Sequence, residues 1–583
     1  MKKILIFISI AAAIGLLFSA CSDSFLDKKP QGALSEDVLA NAKGVEALLI
    51  AAYAELDGWA GWSVGAPWYS AGSNWVFGDV YADDAYKGTD VGDQPQINSI
   101  ERYEHDASNV YLIGKWRALY DGVSRCNDVL RVLAKAEANG TVDPGLANQI
   151  RAEARFLRGY YHMEAIKLWD YVPFIDENNA EALAPNDRIP WPEVEGDLDF
   201  AYKTLPESPR NGQVGRATKW AAAALLGKAK LFQQDYAAAK PYFDDIINNG
   251  PYELAPSFHD NFRIAGNNNS ESIFQIQAAV NEGTNGENGN WGDVLNFPYT
   301  GGPGECCGFY QPSQNLVNAF KTENGLPLLY TFNDEDVSND QGCTSGQPDC
   351  CTEDGSGNCI ELYVPYQGSL DPRLDWTVGR KGIPYLDWGP HPGIAWIRDQ
   401  AYAGPYSPKK NVFYKAEKGT GSTASGWAQG PNANNYSIIR YADVLLMAAE
   451  CEVEVGSLEK ARAYVNKVRA RAADPTTWVM NDDGTPAANY QISTYDDPWT
   501  DQNFARDAVR FERRLELAME GHRFFDLKRW GVAEQVLDAY LAVESTKRTY
   551  LQGADFKPHN VRHPIPQTAI DLSNGTLVQN EGY

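Results

Sequence analysis

A paired helical pattern constrains this chain more than any other feature. Residues 220–247 read WAAAALLGKAKLFQQDYAAAKPYFDDII, in which small Ala side chains let backbones approach closely and Gln233-Gln234-Asp235 makes a break. Ala239 and Phe243 then open a second apolar face at helical spacing. The plan recurs from Ala442 to Ala473, where Gly456 marks the turn and Ala461, Val465 and Val468 form the return face. Two more pairs are expected, near Trp116–Leu133 with Ile150–Trp169 and near Phe511–Ala518 with His522–Tyr540. Within Ala152–Trp169, Leu157, Tyr160, Tyr161 and Ile166 place bulk on one face, and Pro173 stops the segment. Such a pair cannot cover its own apolar face, so the units must stack on one another.

Leu226-Gly227 and Ala239…Phe243 are the packing signals of tetratricopeptide-type hairpins. The expected fold is therefore mainly α: a tetratricopeptide-like scaffold over about 35–250 and 436–545. Periodicity fails over about 58–106 and 250–435, where Gly, Pro, Asn, Asp and aromatic residues dominate. These stretches read as long irregular insertions on one domain running from residue 21 to 583. Loops of such length inside a compact protein usually carry function.

The amino terminus has its own logic. Met1-Lys2-Lys3, an apolar run from Ile4 to Phe18 and small residues before Cys21 make residues 1–20 a secretory signal peptide. A cysteine at that point is what a lipoprotein signal needs, so Cys21 is expected to carry acyl chains. Each buried methylene contributes about 0.8 kcal/mol to such a tether. No later segment approaches the roughly 20 apolar residues of a membrane span. The net charge of −26 argues against nucleic acid and anionic headgroups as partners. Cys126 and Cys451 fall in helical stretches and read as buried small apolar groups. Cys306, Cys307, Cys343, Cys350, Cys351 and Cys359 crowd together, which in an exported protein points to disulfides of open connectivity. Zinc is the alternative, although no His interleaves.

Several segments together resemble the SusD/RagB family of outer-membrane nutrient-binding lipoproteins from Bacteroidetes. They are Ala152–Ile175, Arg216–Leu254, Asn268–Gln277, Asp371-Pro372-Arg373-Leu374, Ile438–Ala449, Glu512–Trp530 and the tail through Tyr583. The resemblance implies a non-enzymatic, lipid-anchored protein facing the cell exterior. It would bind an oligo- or polysaccharide and pass it to a SusC-type TonB-dependent transporter, with no cofactor required. A peptide- or glycopeptide-binding receptor of RagB type is the alternative, and a surface glycoside hydrolase a more distant one.

A sugar ring offers C–H groups on its faces and hydroxyls around its rim, which aromatic faces and polar side chains match respectively. Trp59, Trp62, Trp68, Asn74 and Trp75 supply these types in one stretch, with Asp79 close by; Trp291, Phe297, Tyr299 and Tyr310 form a second group, and Trp388 and Trp396 a third. For any one Trp, core packing is the competing expectation. The acidic run 333–358 does not fit EF-hand spacing and reads first as a solvated loop stapled by disulfides, with calcium as the alternative. Glu512, Arg513, Arg514, Glu516, Glu520, Arg523, Asp526 and Arg529 look like an active-site cluster, but their spacing lets them pair along and between helices. The seven His are scattered, and neither HExxH nor a P-loop is present.

Overall fold

The computed structural model describes residues 36–59, 66–179, 183–284, 286–304, 306–343, 350–353, 356, 359–423 and 430–583. Cys21 and Trp62 lie outside the described residues. Helices α1 (Ala42–Ala54), α2 (Val110–Ala138), α3 (Pro144–Trp169), α4 (Trp191–Thr204), α5 (Lys219–Phe232) and α6 (Tyr236–Asn249) stack in chain order, each on its predecessor. Helix α7 (Tyr441–Val455) then packs directly on α6, as though the intervening chain were absent. Helices α8 (Leu458–Ala472) and α9 (Gln502–Leu517) both pack on α7, and α10 (Arg523–Arg529) and α11 (Ala533–Lys547) follow. Among the described residues no helix is long and apolar enough to cross a membrane.

Local chemistry starts and spaces these helices. Asp143 caps α3 by accepting from the Gly145 and Leu146 amides, with Pro144 at the first helical position. Asp235 accepts from Ala238 N at 3.0 Å, so the Gln-Gln-Asp break turns the chain and caps α6. Gly227 is a close-approach position, since a Cβ there would lie 2.7 Å from the Phe243 ring. Gly122 plays the same part between α2 and α3, facing the Tyr161 ring.

Two sequence expectations need correction. Helix α4 was not foreseen, although Val194, Leu198 and Ala201 are spaced for one buried face. The Phe511–Ala518 segment takes its main packing from α7 and α8, so it does not form with 522–540 a hairpin like the others. The other three expected pairs, α2 with α3, α5 with α6 and α7 with α8, pack as hairpins; only the partner of the 511–518 segment was not legible.

The insertions are fastened to the stack and to each other. Strand β1 (Ala85–Gly88) lies in the first; β2 (Ser272–Ile276), β3 (Phe309–Pro312), β4 (Cys351–Glu353) and β5 (Cys359–Leu362) lie in the second. Strand β6 (Tyr436–Arg440) leads into α7. Antiparallel pairing of β2 with β6 sets Ile276 opposite Tyr436 and Ser272 opposite Arg440, closing the base of the second insertion. Pairing of β1 with β3 sets Ala85 opposite Pro312 and Gly88 opposite Phe309. That pairing brings both irregular segments to one place.

A lattice of buried ion pairs holds the second insertion to α9. Arg440 bridges Glu271 at 2.6 Å, Glu516 at 2.6 Å and Glu520 at 2.8 Å. Arg373 joins Asp371 at 2.7 Å, Glu512 at 2.7 Å and Glu516 at 3.0 Å. Burial alone would raise the Glu516 carboxyl, but Arg471, Arg440 and Arg373 outweigh it and hold the group well below the usual carboxylate range. The cluster that resembles an active site is an internal joint.

Disulfides join Cys306 to Cys307 and Cys343 to Cys350. Cys351 and Cys359 sit on the two strands of the β4–β5 hairpin, outside those two bridges. Cys126 and Cys451 are buried in helices.

Candidate functional site

The expected aromatic platform is largely turned inward. Asn74 precedes a single π-helical segment, Trp75–Val80, and Trp75 is fully buried, its indole N–H donating to Gly292 O at 3.3 Å. Tyr310 packs on Trp75 with ring centroids 5.6 Å apart and donates its hydroxyl to Asp79. Asp79 also accepts from the Gly521 amide at 2.8 Å; burial, with Asp84 adding to it, pushes its carboxyl up to about 7. Asn74 is buried and donates to Glu164 at 2.7 Å. Trp68 is buried in the main core. Trp396 belongs to a smaller core with Phe297, Tyr385, Val412 and Phe413, and Gly302 is pressed against its indole. These five candidates, Trp68, Asn74, Trp75, Tyr310 and Trp396, offer no open face, because two insertions with little regular structure need large rings to fill their own interiors.

Trp59, Trp291 and Trp388 are half-buried. The Trp291 indole donates to Gly286 O at 2.8 Å and the Trp388 indole to Phe413 O at 3.1 Å, which fixes both rings. The Trp59 amide donates to Ser70 Oγ at 3.0 Å.

Where the β1–β3 pairing ends, the loops of both insertions enclose a cleft of about 700 Å³. Asp90 lines one side; Gln341, Gly342 and Cys343 line a second, and the 394–401 segment a third. Arg398 is its central cation. It bridges Asp90 at 2.8 Å and Asp93 at 2.7 Å, donates to Thr89 Oγ1 at 3.0 Å, and lies 5.5 Å from the centre of the Tyr299 ring. All three charged groups stay about 30% exposed (31, 29 and 28% for Arg398, Asp90 and Asp93), so they can still exchange hydrogen bonds with a ligand. Beneath them the Lys87 ammonium donates to the carbonyls of Asp90 and Asp93 at 2.7 and 2.8 Å, fixing the loop. Burial, only partly offset by Glu101, Asp93 and Asp90, brings that ammonium down to about 8. Across the cleft, Gln400 Oε1 accepts from the Gly342 amide at 2.9 Å.

Charged and amide groups lining one cleft, with a half-buried Tyr beside Arg398, suit a polyhydroxylated ligand. Sequence reading named Tyr299 but stopped at Trp396, two residues short of Arg398, and passed over Asp90, Asp93, Gln341 and Gln400. Asp, Arg and Gln in loops carry no spacing signal of their own; only the strand pairing reveals that they meet.

A second cavity, of about 430 Å³, lies against α2 and includes Trp116, Tyr120, Leu183 and Leu572. It is more apolar and contains none of the candidates from either insertion. Among the described residues one group brings three metal-ligating side chains together, Asp340, Cys343 and Cys350. Its two sulfurs are bonded to each other, which leaves a single carboxylate and not the oxygen-rich shell calcium needs. In the acidic run, Asp336 is engaged by Lys547 at 2.6 Å, while Asp349 and Asp354 lie outside the described residues.

Comparison with known proteins agrees with this architecture. A SusD-like protein of Bacteroides ovatus is 28% identical over 551 residues, spanning 89% of this chain and 82% of its own. A SusD-like carbohydrate-binding protein from Bacteroides fragilis superposes with a TM-score of 0.67 at 21% identity, covering 92% of this chain and 99% of its own. Surface glycan-binding protein A from Bacteroides thetaiotaomicron, solved with laminarihexaose, gives a TM-score of 0.62 at 23% identity over 93% of this chain and 99% of its own. Residues 24–231 match a family described as starch-binding and associating with the outer membrane. Residues 270–583 match the SusD family, and the chain belongs to that family.

Proposed function

We propose that this protein is a cell-surface lipoprotein that captures an oligo- or polysaccharide and passes it to a SusC-type TonB-dependent transporter. The observation that carries the reading is the polar cleft joined from both insertions, with Arg398, Asp90 and Asp93 beside the Tyr299 ring. Its charges are held by partners before any ligand arrives, so binding costs little reorganisation. Carboxylate and guanidinium groups pair with rim hydroxyls, and the Tyr face meets C–H groups. Relatives that bind laminarin or laminarihexaose support the same ligand class. Cys21 is the proposed anchor, and family membership supports the proposed transporter partner. Trp59, Trp291 and Trp388 remain proposed as outer contacts for a longer chain.

The test is affinity electrophoresis of the protein from Ser22 onward in gels containing laminarin, starch, xyloglucan, arabinoxylan or galactomannan, with reducing ends assayed in parallel. Retardation by at least one polysaccharide without new reducing ends is expected. New reducing ends would move the protein to the glycoside hydrolases, and retardation by none would favour a peptide ligand.

A further inference from the structure

Lys87 is the next-to-last residue of β1, and it is fully buried although the loop that follows it reaches the cleft wall at Asp90. Gly88 at φ +86° and Thr89 at φ +58° turn the chain there, so that residues 90–93 pass over the Lys87 ammonium. Within this loop the two oxygens of Asp90 have separate partners. Oδ1 accepts from the Gly92 and Asp93 amides at 2.8 and 2.9 Å, which closes the turn. Oδ2 meets Arg398 Nε at 2.8 Å, and Asp93 Oδ2 meets Arg398 Nη1 at 2.7 Å.

The ammonium grips the same two residues that hold Arg398. It donates to the carbonyls of Asp90 and Asp93, at 2.7 and 2.8 Å, and so fixes their backbone while the carboxylates stay on Arg398. Asn98 adds a neutral bond, donating to Val91 O at 3.0 Å. The charged groups facing Lys87 come from three places. Glu101 ends the helical segment Pro95–Glu101 and accepts from the Lys87 amide at 3.2 Å and from the Tyr550 hydroxyl; Asp90 and Asp93 lie on the loop itself, and Arg398 on the second insertion. The Tyr402 ring lies 5.0 Å from the ammonium. Burial outweighs the three acids, so the ammonium keeps its proton only to about pH 8, while burial pushes Glu101 up to about 7. Without its charge, Lys87 holds the two carbonyls by weaker bonds.

We infer that Lys87 is a positioning residue of the cleft: through the backbone of Asp90 and Asp93 it sets where their carboxylates hold Arg398, and so sets the affinity for the glycan. As pH rises through about 8 the loop loosens and affinity falls. The inference rests on the glycan-binding reading and adds a control that acts from beneath the site, through a side chain that no ligand reaches.

The test is calorimetric titration of the polysaccharide that retards the wild type into the wild type, Lys87→Met and Lys87→Arg, at about pH 7 and about pH 9, with thermal melting of each. Lys87→Met keeps a long unbranched side chain and removes the donor; Lys87→Arg keeps a cation that stays charged at both values. At the lower pH, affinity is expected to fall by about tenfold in Lys87→Met, the scale of one charge-assisted hydrogen bond. Lys87→Arg is expected to keep most of it. Between the two values the wild type is expected to lose affinity by about threefold or more, and neither variant to follow it. A purely structural Lys87 would lower the melting temperature of Lys87→Met without producing that difference in pH profile. Because Glu101 is present in all three proteins, a fall that it caused would appear in all three. Full affinity in folded Lys87→Met, or the same pH profile in the wild type and Lys87→Arg, would overturn the inference and leave glycan binding intact. The second comparison stands if Lys87→Met fails to fold. Retardation of the wild type by no glycan would instead remove the reading beneath the inference, and the inference with it.

Discussion

Trp75 and Arg398 both lie in the irregular insertions, and the structure treats them oppositely. Trp75 sits in a segment crowded with Trp, which reads equally as platform or as core; at 0% exposure it is core. Trp75→Ala is expected to cost roughly 3–5 kcal/mol in chemical denaturation. A loss below about 1 kcal/mol would mean that the ring is not packed as described. Nothing in the sequence singles out Arg398, since a lone Arg in a loop usually faces solvent without consequence. Its meaning comes from Asp90 and Asp93, about three hundred positions away in sequence, which no spacing rule connects to it. Residue types were legible; which of them face the same space was not.

At the scale of elements, helices were legible where a 3.6-residue period runs long enough, as in α3, α5 and α7. The α5–α6 contact depends on Gly227. Gly227→Ala gains helix propensity of about 1 kcal/mol. The added methyl, however, would sit 2.7 Å from the Phe243 ring, and overpacking of that kind costs about 1–3 kcal/mol. The expected result is a lower melting temperature for the variant, and a higher one would show that α5 and α6 can separate freely. Glu516 couples α9 to the second insertion through Arg373, Arg440 and Arg471. Glu516→Ala leaves three buried guanidinium groups short of a partner and should destabilise by roughly 3–5 kcal/mol. Equilibrium denaturation measures it, and a near-neutral result would show the lattice relaxing around the gap. Sequence spacing suggested pairing among the charges from Glu512 to Arg529, but the partners Glu271, Arg373, Arg440 and Arg471 became visible only with strand β6 in place.

For the whole molecule, the division into stacked helices and irregular insertions follows from where periodicity stops, and α7 packing on α6 shows that the scaffold closes beneath the second insertion. The same interior sets a response to acid. Burial raises both Asp526 and Asp83, but Arg513 and Arg529 hold Asp526 down to about 2, and Arg514 and Arg523 hold Asp83 to about 2. A carboxylate with a lowered folded pKa contributes stability above its unfolded value near 4, lost as pH falls through the folded value. His162, His391 and His522, brought down to about 3 by burial, stay neutral in the fold while the unfolded chain takes up protons below about 6.5. Both effects act in one direction below pH 4. Melting temperature should therefore fall steeply between about pH 4 and pH 2, and a flat profile across that window would contradict the ion-pair account.

The claim that joins all three scales is that the cleft between the insertions holds the glycan. Its most direct measurement is calorimetric titration of the retarding polysaccharide into the wild type, Arg398→Ala and Trp75→Phe. The account predicts affinity reduced about tenfold or more for Arg398→Ala, the scale of charge-assisted hydrogen bonds, and unchanged for Trp75→Phe. Full affinity in Arg398→Ala would contradict it and place the ligand elsewhere.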